Sequence, residues 1–167
     1  EPYDGIAGLT PVKLKGDEDL LVEMMFKSNL LDNHMFSTFL NIETKESYIY
    51  FGGYEENMIN DVTWMDMDQE KLNHWNVYFD WIFLKGERGI SIKNTESILD
   101  TGTTLMYFSK SIYDEIIDKL TGNLTCKSSD GLVYCNSSID LPNLYFSIRK
   151  GHSYELKSED YGIYYND

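Results

Sequence analysis

Ser97-Ile98-Leu99-Asp100-Thr101-Gly102-Thr103-Thr104-Leu105 is the stretch on which the reading of this chain turns. Two apolar residues, Ile98 and Leu99, are expected to carry an incoming strand into the core and to deliver Asp100 as the first polar group beyond it. Gly102 permits a positive φ and lets a ligand backbone approach without a Cβ in the way. Thr101 and Thr103 can hydrogen-bond locally and stiffen the loop, and Thr104 offers one more hydroxyl. A bare Asp-Thr-Gly is an ordinary turn after a strand. The longer string is much rarer, and its surroundings decide its meaning.

Downstream, Ser109 to Leu120 repeats Ile112, Tyr113, Ile116, Ile117 and Leu120 at helical spacing behind a serine suited to an N-cap. Beyond it Leu144, Phe146 and Ile148 alternate, and Tyr154 and Leu156 continue the alternation on a returning strand. Upstream, a helix is expected from Asp17 to Lys27, opened by acids and followed by Asn29. His34 to Ile42 and Ser47 to Phe51 read as a hairpin. Further strands are expected at Val62 to Met67, at Trp75 to Leu84 and at Ile90 to Ile92. In Trp75 to Leu84 the apolar residues Trp75, Val77, Phe79, Trp81 and Phe83 alternate on one side and Tyr78, Ile82 and Leu84 fall on the other, so both sides should be covered. The expected fold class is mainly β with two short helices.

The chain has 167 residues, enough for one domain with a continuous apolar core. Aromatic residues make up 14%, far above what a disordered chain carries. With 14 Lys plus Arg against 28 Asp plus Glu the formal charge is −14, which repels polyanions, so nucleic acid is not expected as a partner. No run approaches the roughly 18 apolar residues of a membrane span. His34, His74 and His152 are isolated and there is no Cys-rich cluster, so neither metal nor cofactor is expected. Cys126 and Cys135 suit a short disulfide-closed hairpin as well as two free thiols. Asn123-Leu124-Thr125 and Asn136-Ser137-Ser138 bracket them as candidate glycosylation triplets and favour the secretory pathway, secreted or lysosomal or vacuolar.

Five segments in order resemble the pepsin family of aspartic proteases. Tyr3-Asp4-Gly5-Ile6-Ala7-Gly8-Leu9 is similar to the segment closing the first lobe of those enzymes. Met35-Phe36-Ser37-Thr38-Phe39-Leu40 with Ile49-Tyr50-Phe51-Gly52-Gly53 resembles the strand and turn opening the second. His74-Trp75-Asn76-Val77 stands where the family has Tyr-Trp-Gln-Ile, with His74 in place of the tyrosine. Ser97 to Leu105 resembles the second catalytic loop, with Thr104 where serine is usual, and Cys126 and Cys135 with Leu141-Pro142-Asn143-Leu144-Tyr145-Phe146 resemble the last-disulfide region.

The resemblance implies a pepsin-like lobe: residues 1–10 closing a first lobe, and 11–167 forming most of a second lobe that lacks its final strands, incomplete at both ends. It implies that Asp100 is the catalytic carboxylate, that Thr101, Gly102 and Thr103 support the loop, that Gly102, Thr104, Ile98 and His74 border the substrate, and that Cys126 and Cys135 are bonded. The substrate implied is a polypeptide, and the partner implied is the missing first lobe with a second aspartate. The alternative from another class is a pepsin-fold protein that binds peptides without cutting them. One carboxylate supplies a base without its acid, so the chain alone is expected to be inactive.

Overall fold

The computed structural model describes residues 4–13, 19–41, 44–59, 62–67, 73–84, 88–93, 95–122, 126–129, 131–136, 140–148 and 152–162. The chain divides into two compact units, Glu1–Asn76 and Val77–Asp167.

In the first unit, helix α1 spans Leu21–Lys27. It starts later than the acids at 17 and 18 imply, and those two residues lie outside the described set. The remaining acid, Asp19, is used differently: Lys13 donates to its carboxylate at 2.9 Å, and that hydrogen bond and charge hold Asp19 below its ordinary pKa. Glu23 and Lys27 pair one turn apart at 2.5 Å. The helix closes as its sequence implies. Asn29 adopts φ 56°, its N–H reaches Phe26 O and the Leu30 N–H reaches Met25 O, both at 3.0 Å, a Schellman-type stop.

Strands β1 (Phe36–Phe39) and β2 (Tyr48–Phe51) pair antiparallel from Phe36↔Phe51 to Phe39↔Tyr48, the expected hairpin. Gly52 (φ 85°) ends it by donating to Met35 O at 2.8 Å. The Trp75 indole donates to Leu9 O at 2.6 Å and its ring meets Phe36 edge-on, which ties the first described residues to this hairpin. Val62–Met67 forms no strand, against the sequence expectation. Apolar content alone does not make a strand: Val62, Trp64 and Met65 stay exposed, so little apolar burial offsets the ordering of the backbone.

The second unit is built on β3 (Asn76–Leu84), β4 (Ile90–Ser91), β5 (Glu96–Ile98), β8 (Leu144–Ile148) and β9 (Ser153–Leu156), in a sheet ordered β4-β3-β8-β9 with β5 also pairing β3. Helix α2 (Lys110–Thr121) packs on it, and β6 (Cys126–Ser129) and β7 (Leu132–Cys135) form a separate antiparallel pair. Ser109 takes the N-cap position without a side-chain cap bond. A short helix α3 (Ser158–Tyr161), which periodicity did not announce, is clipped to the start of β8: Tyr161 Oη donates to Pro142 O at 2.5 Å and Ser158 N–H donates to Asn143 Oδ1 at 3.1 Å. The whole is mainly β with few short helices, as expected.

Strand β3 corrects the sequence reading in one respect. Phe79 pairs with Ile148 and Trp81 with Ser147, so Asp80 is an extra residue on β3, a β-bulge. A single extra residue reverses side-chain parity. Before it Val77 and Phe79 face inward; after it Ile82 and Leu84 do, joining Ile90, Ile116 and Leu144 in the core. Trp81, 44% exposed, is turned to the other side, where Phe83 stacks on Tyr145 at 5.2 Å. That side is therefore only half covered. There Glu155 accepts from Tyr145 Oη at 2.6 Å and from Asn143 Nδ2 at 2.8 Å, and the first of these bonds, with partial desolvation, holds the Tyr145 phenol above its ordinary pKa.

Ile82 is fully buried at the centre of this sheet. Ile82→Ala is expected to cost about 2–5 kcal/mol, the transfer and cavity terms together, read as a lowered urea midpoint of the full-length protein. A loss below about 0.5 kcal/mol, the range of surface substitutions, would mean that the bulge does not set this core.

Candidate active site

Strand β5 leads into the loop that carries Asp100. Its burial alternates: Ser97 faces partly inward, while Glu96 and Ile98 face out. The expectation that Ile98 and Leu99 plunge into the core is therefore not met, for they are 51% and 58% exposed. For Ile98 the reason is parity, since a three-residue strand of this pattern puts Ser97 rather than Ile98 on the covered side; Leu99 shares the parity of Ser97 but lies beyond the end of β5.

Asp100 is exposed and is held by its own loop instead of by buried backbone. The Gly102 N–H donates to Asp100 Oδ1 at 2.9 Å, an Asx-type turn. The Thr103 hydroxyl donates to Asp100 Oδ2, and the Thr103 N–H reaches Asp100 O at 3.3 Å. Each carboxylate oxygen thus has a donor from the two residues that follow Thr101, and the carboxyl plane is oriented by contacts spanning three positions of sequence. The glycine matters here for space rather than for handedness, since a side chain would ask the carboxylate to give by a few tenths of an ångström. Gly102 is not among the positive-φ residues, but a Cβ built on it would lie 3.2 Å from Asp100 Oδ1.

Thr101 and Thr104 are exposed on the same loop, followed by exposed Leu105, Met106 and Tyr107. The first unit holds His74, which is exposed and accepts the Asn76 N–H on its carbonyl at 2.8 Å. The structure places Asp100, Thr101, Gly102, Thr103 and Thr104 on one loop; sequence reasoning did not foresee that the Gly102 N–H and the Thr103 hydroxyl would divide the two carboxylate oxygens between them. The Asp-x-Gly spacing was the available signal, because an Asx turn needs the donor two residues on.

Cys126 and Cys135 are register partners across β6 and β7 and form a disulfide, with Cα atoms 4.3 Å apart. The alternative of two free thiols is thereby removed. Asn136 is exposed directly after β7, while Asn123 lies outside the described residues. Among the described residues no helix is long and apolar enough to cross a membrane, and no group of three or more His, Cys, Asp or Glu side chains could hold a metal ion.

The site is thus an exposed, internally braced Asp-Thr-Gly loop on a mainly β scaffold. The family pattern described as eukaryotic aspartyl protease matches residues 1–167, and the chain belongs to that family. It is 28% identical over 165 residues to pepsin-3 of Oryctolagus cuniculus, covering 96% of this chain and 41% of that protein. It is 26% identical over 162 residues to pepsin A of Gallus gallus, covering 95% and 42%. A probable vacuolar protease A of Trichophyton verrucosum (strain HKI 0517) is 28% identical over 167 residues, covering 96% and 40%. The chain spans about two fifths of the length of these relatives.

Proposed function

We propose that this chain supplies one of the two carboxylates of an aspartic endopeptidase, and that Asp100 is that carboxylate. The supporting observation is the bracing of Asp100 by Gly102 and Thr103 in a loop exposed to an incoming chain. In this reading residues 11–167 belong to the second lobe, residues 1–10 close the first, and the first lobe brings the second aspartate. Two adjacent carboxylates cannot both ionise cheaply, so they share a proton, aspartic proteases being the standard illustration of that effect. The ionised one takes a proton from water, the water oxygen attacks the peptide carbonyl, and the protonated one supplies a proton to the carbonyl oxygen. The C–N bond then breaks as the nitrogen is protonated.

The backbone of Gly102 and the side chains of Thr104, Ile98 and His74 border the bound polypeptide in this reading, and Thr101 helps grip the partner loop. The route is secretory, to a secreted or a lysosomal or vacuolar destination, with Asn123 and Asn136 as glycan acceptors. The reading is tested with the full-length protein and an unstructured polypeptide at acidic pH. Inhibition by a peptide mimic carrying a hydroxyl in place of the scissile carbonyl is the expected result. Chelation by EDTA is expected to leave the rate unchanged, because acid and base are both carboxyl groups; loss of activity restored by zinc would refute the reading.

Gly102→Ala is expected to lower kcat by about tenfold or more, with the fold intact. The added Cβ pushes on Asp100 Oδ1 from 3.2 Å, and small misplacements of a reacting group are costly. An unchanged kcat would show that the carboxylate is not held by this close approach.

A further inference from the structure

The β6–β7 hairpin stands outside the core that holds the rest of its unit together. Among the described residues, the buried cluster and the half-buried side chains packed on it come from β3, β4, α2, β8, β9, α3 and adjoining residues, with none from the hairpin, whose Cys126, Val133 and Cys135 are half-buried outside that cluster. Leu132 and Tyr134 are exposed. The hairpin has four register pairs, from Cys126↔Cys135 to Ser129↔Leu132, and turns through Gly131 at φ 78°. A two-stranded hairpin of this kind is marginally stable at best in water. The disulfide joins the pair farthest from the turn, the end at which such a ladder frays first.

We propose that the Cys126–Cys135 bond is a redox-conditional fastener, which keeps the hairpin ordered when oxidised and releases it, and it alone, when reduced by a dithiol. In the reductive step a dithiol thiolate attacks one sulfur, and the second thiolate displaces the mixed disulfide. Two electrons and two protons pass to Cys126 and Cys135 as thiols, and the dithiol is left as its own disulfide. The five-stranded sheet and α2 keep their core, which the hairpin does not enter. The released segment is open to proteolysis, with Lys127 and Tyr134 as exposed cleavage points, so passage from an oxidising to a reducing compartment would mark the protein for cutting there.

The test uses the full-length protein under native conditions with and without dithiothreitol, alkylating the thiols to verify reduction at both cysteines. The Cys126→Ser/Cys135→Ser double variant separates this bond from any other disulfide. In both forms the backbone amides of 127–134 should exchange about tenfold faster or more, and chymotrypsin should cut after Tyr134 faster by a similar factor. Amides of β3 and β8 should stay within about twofold of the oxidised protein. If the double variant does not fold, reduction of the already folded protein decides. Unchanged hairpin protection, simultaneous loss of protection in β3 and β8, or refusal of the bond to be reduced in the folded protein would each overturn the proposal.

Discussion

Asp100→Asn in the full-length protein is expected to lower kcat on an unstructured polypeptide by at least about 10²–10⁴-fold, the usual contribution of a general acid or base, with little change in KM. The amide is nearly isosteric with the carboxyl group and retains an oxygen that can accept from Gly102 or Thr103, so the loop should keep its shape. It can neither take a proton from water nor share one with a second carboxylate. Because the amide keeps the size of the carboxyl group and an acceptor for Gly102 or Thr103, stability should change little, and an unaltered thermal midpoint would separate lost chemistry from lost structure. A fall in kcat and kcat/KM together is the signature of an interaction made in the transition state. Undiminished activity would remove Asp100 from the mechanism.

The second large effect follows from the two-lobe reading proposed above: the 167-residue chain, assayed by itself, is expected to show no peptide hydrolysis. These residues contain a single Asp-Thr-Gly string, and one carboxylate cannot be base and acid in the same step. The loop is also open: Asp100 and all its neighbours from Ile98 to Tyr107 are exposed in the described structure, so water is not excluded from the place where charge develops. The assay compares cleavage by the chain and by the full-length protein from acidic to neutral pH, with circular dichroism to verify that the chain has folded. Activity rising with the square of the chain concentration would mean that two copies bring two aspartates together, as in a symmetric dimer. That outcome would replace the two-lobe reading.

How far the sequence leads differs from element to element. Helix α2 was legible because Ile112, Ile116 and Leu120 recur at helical spacing, and a helix of three turns is a local structure that its own periodicity specifies. The β1–β2 hairpin was legible for a similar reason, a polar turn between two aromatic-rich runs. Short-range chemistry was legible too. The Asp100 loop is braced by contacts two and three residues apart, and spacing of that kind is written directly in the order of residues.

Other features depended on partners remote in sequence. The bulge at Asp80 exists only because β3 must keep register with β8, more than sixty residues later; it decides that Ile82 is buried and Trp81 is not, which alternation read along β3 alone had assigned to the wrong faces. Val62–Met67 is rich in apolar residues yet has no strand structure, because a strand is stabilised by its neighbours. The exposure of Ile98 and Leu99 was not readable from their apolar character, because it depends on what the rest of the fold lays over β5 and the residue after it. The amino-acid sequence by itself determined the mainly β class, the family resemblance, the Asp-Thr-Gly loop, helix α2 and the β1–β2 hairpin, since these rest on motif order, periodicity and contacts within a few residues. Only the tertiary structure decided which side of each strand is core, whether Cys126 and Cys135 are bonded, and how openly Asp100 is presented, because each is set by pairing between segments that the linear order leaves unspecified.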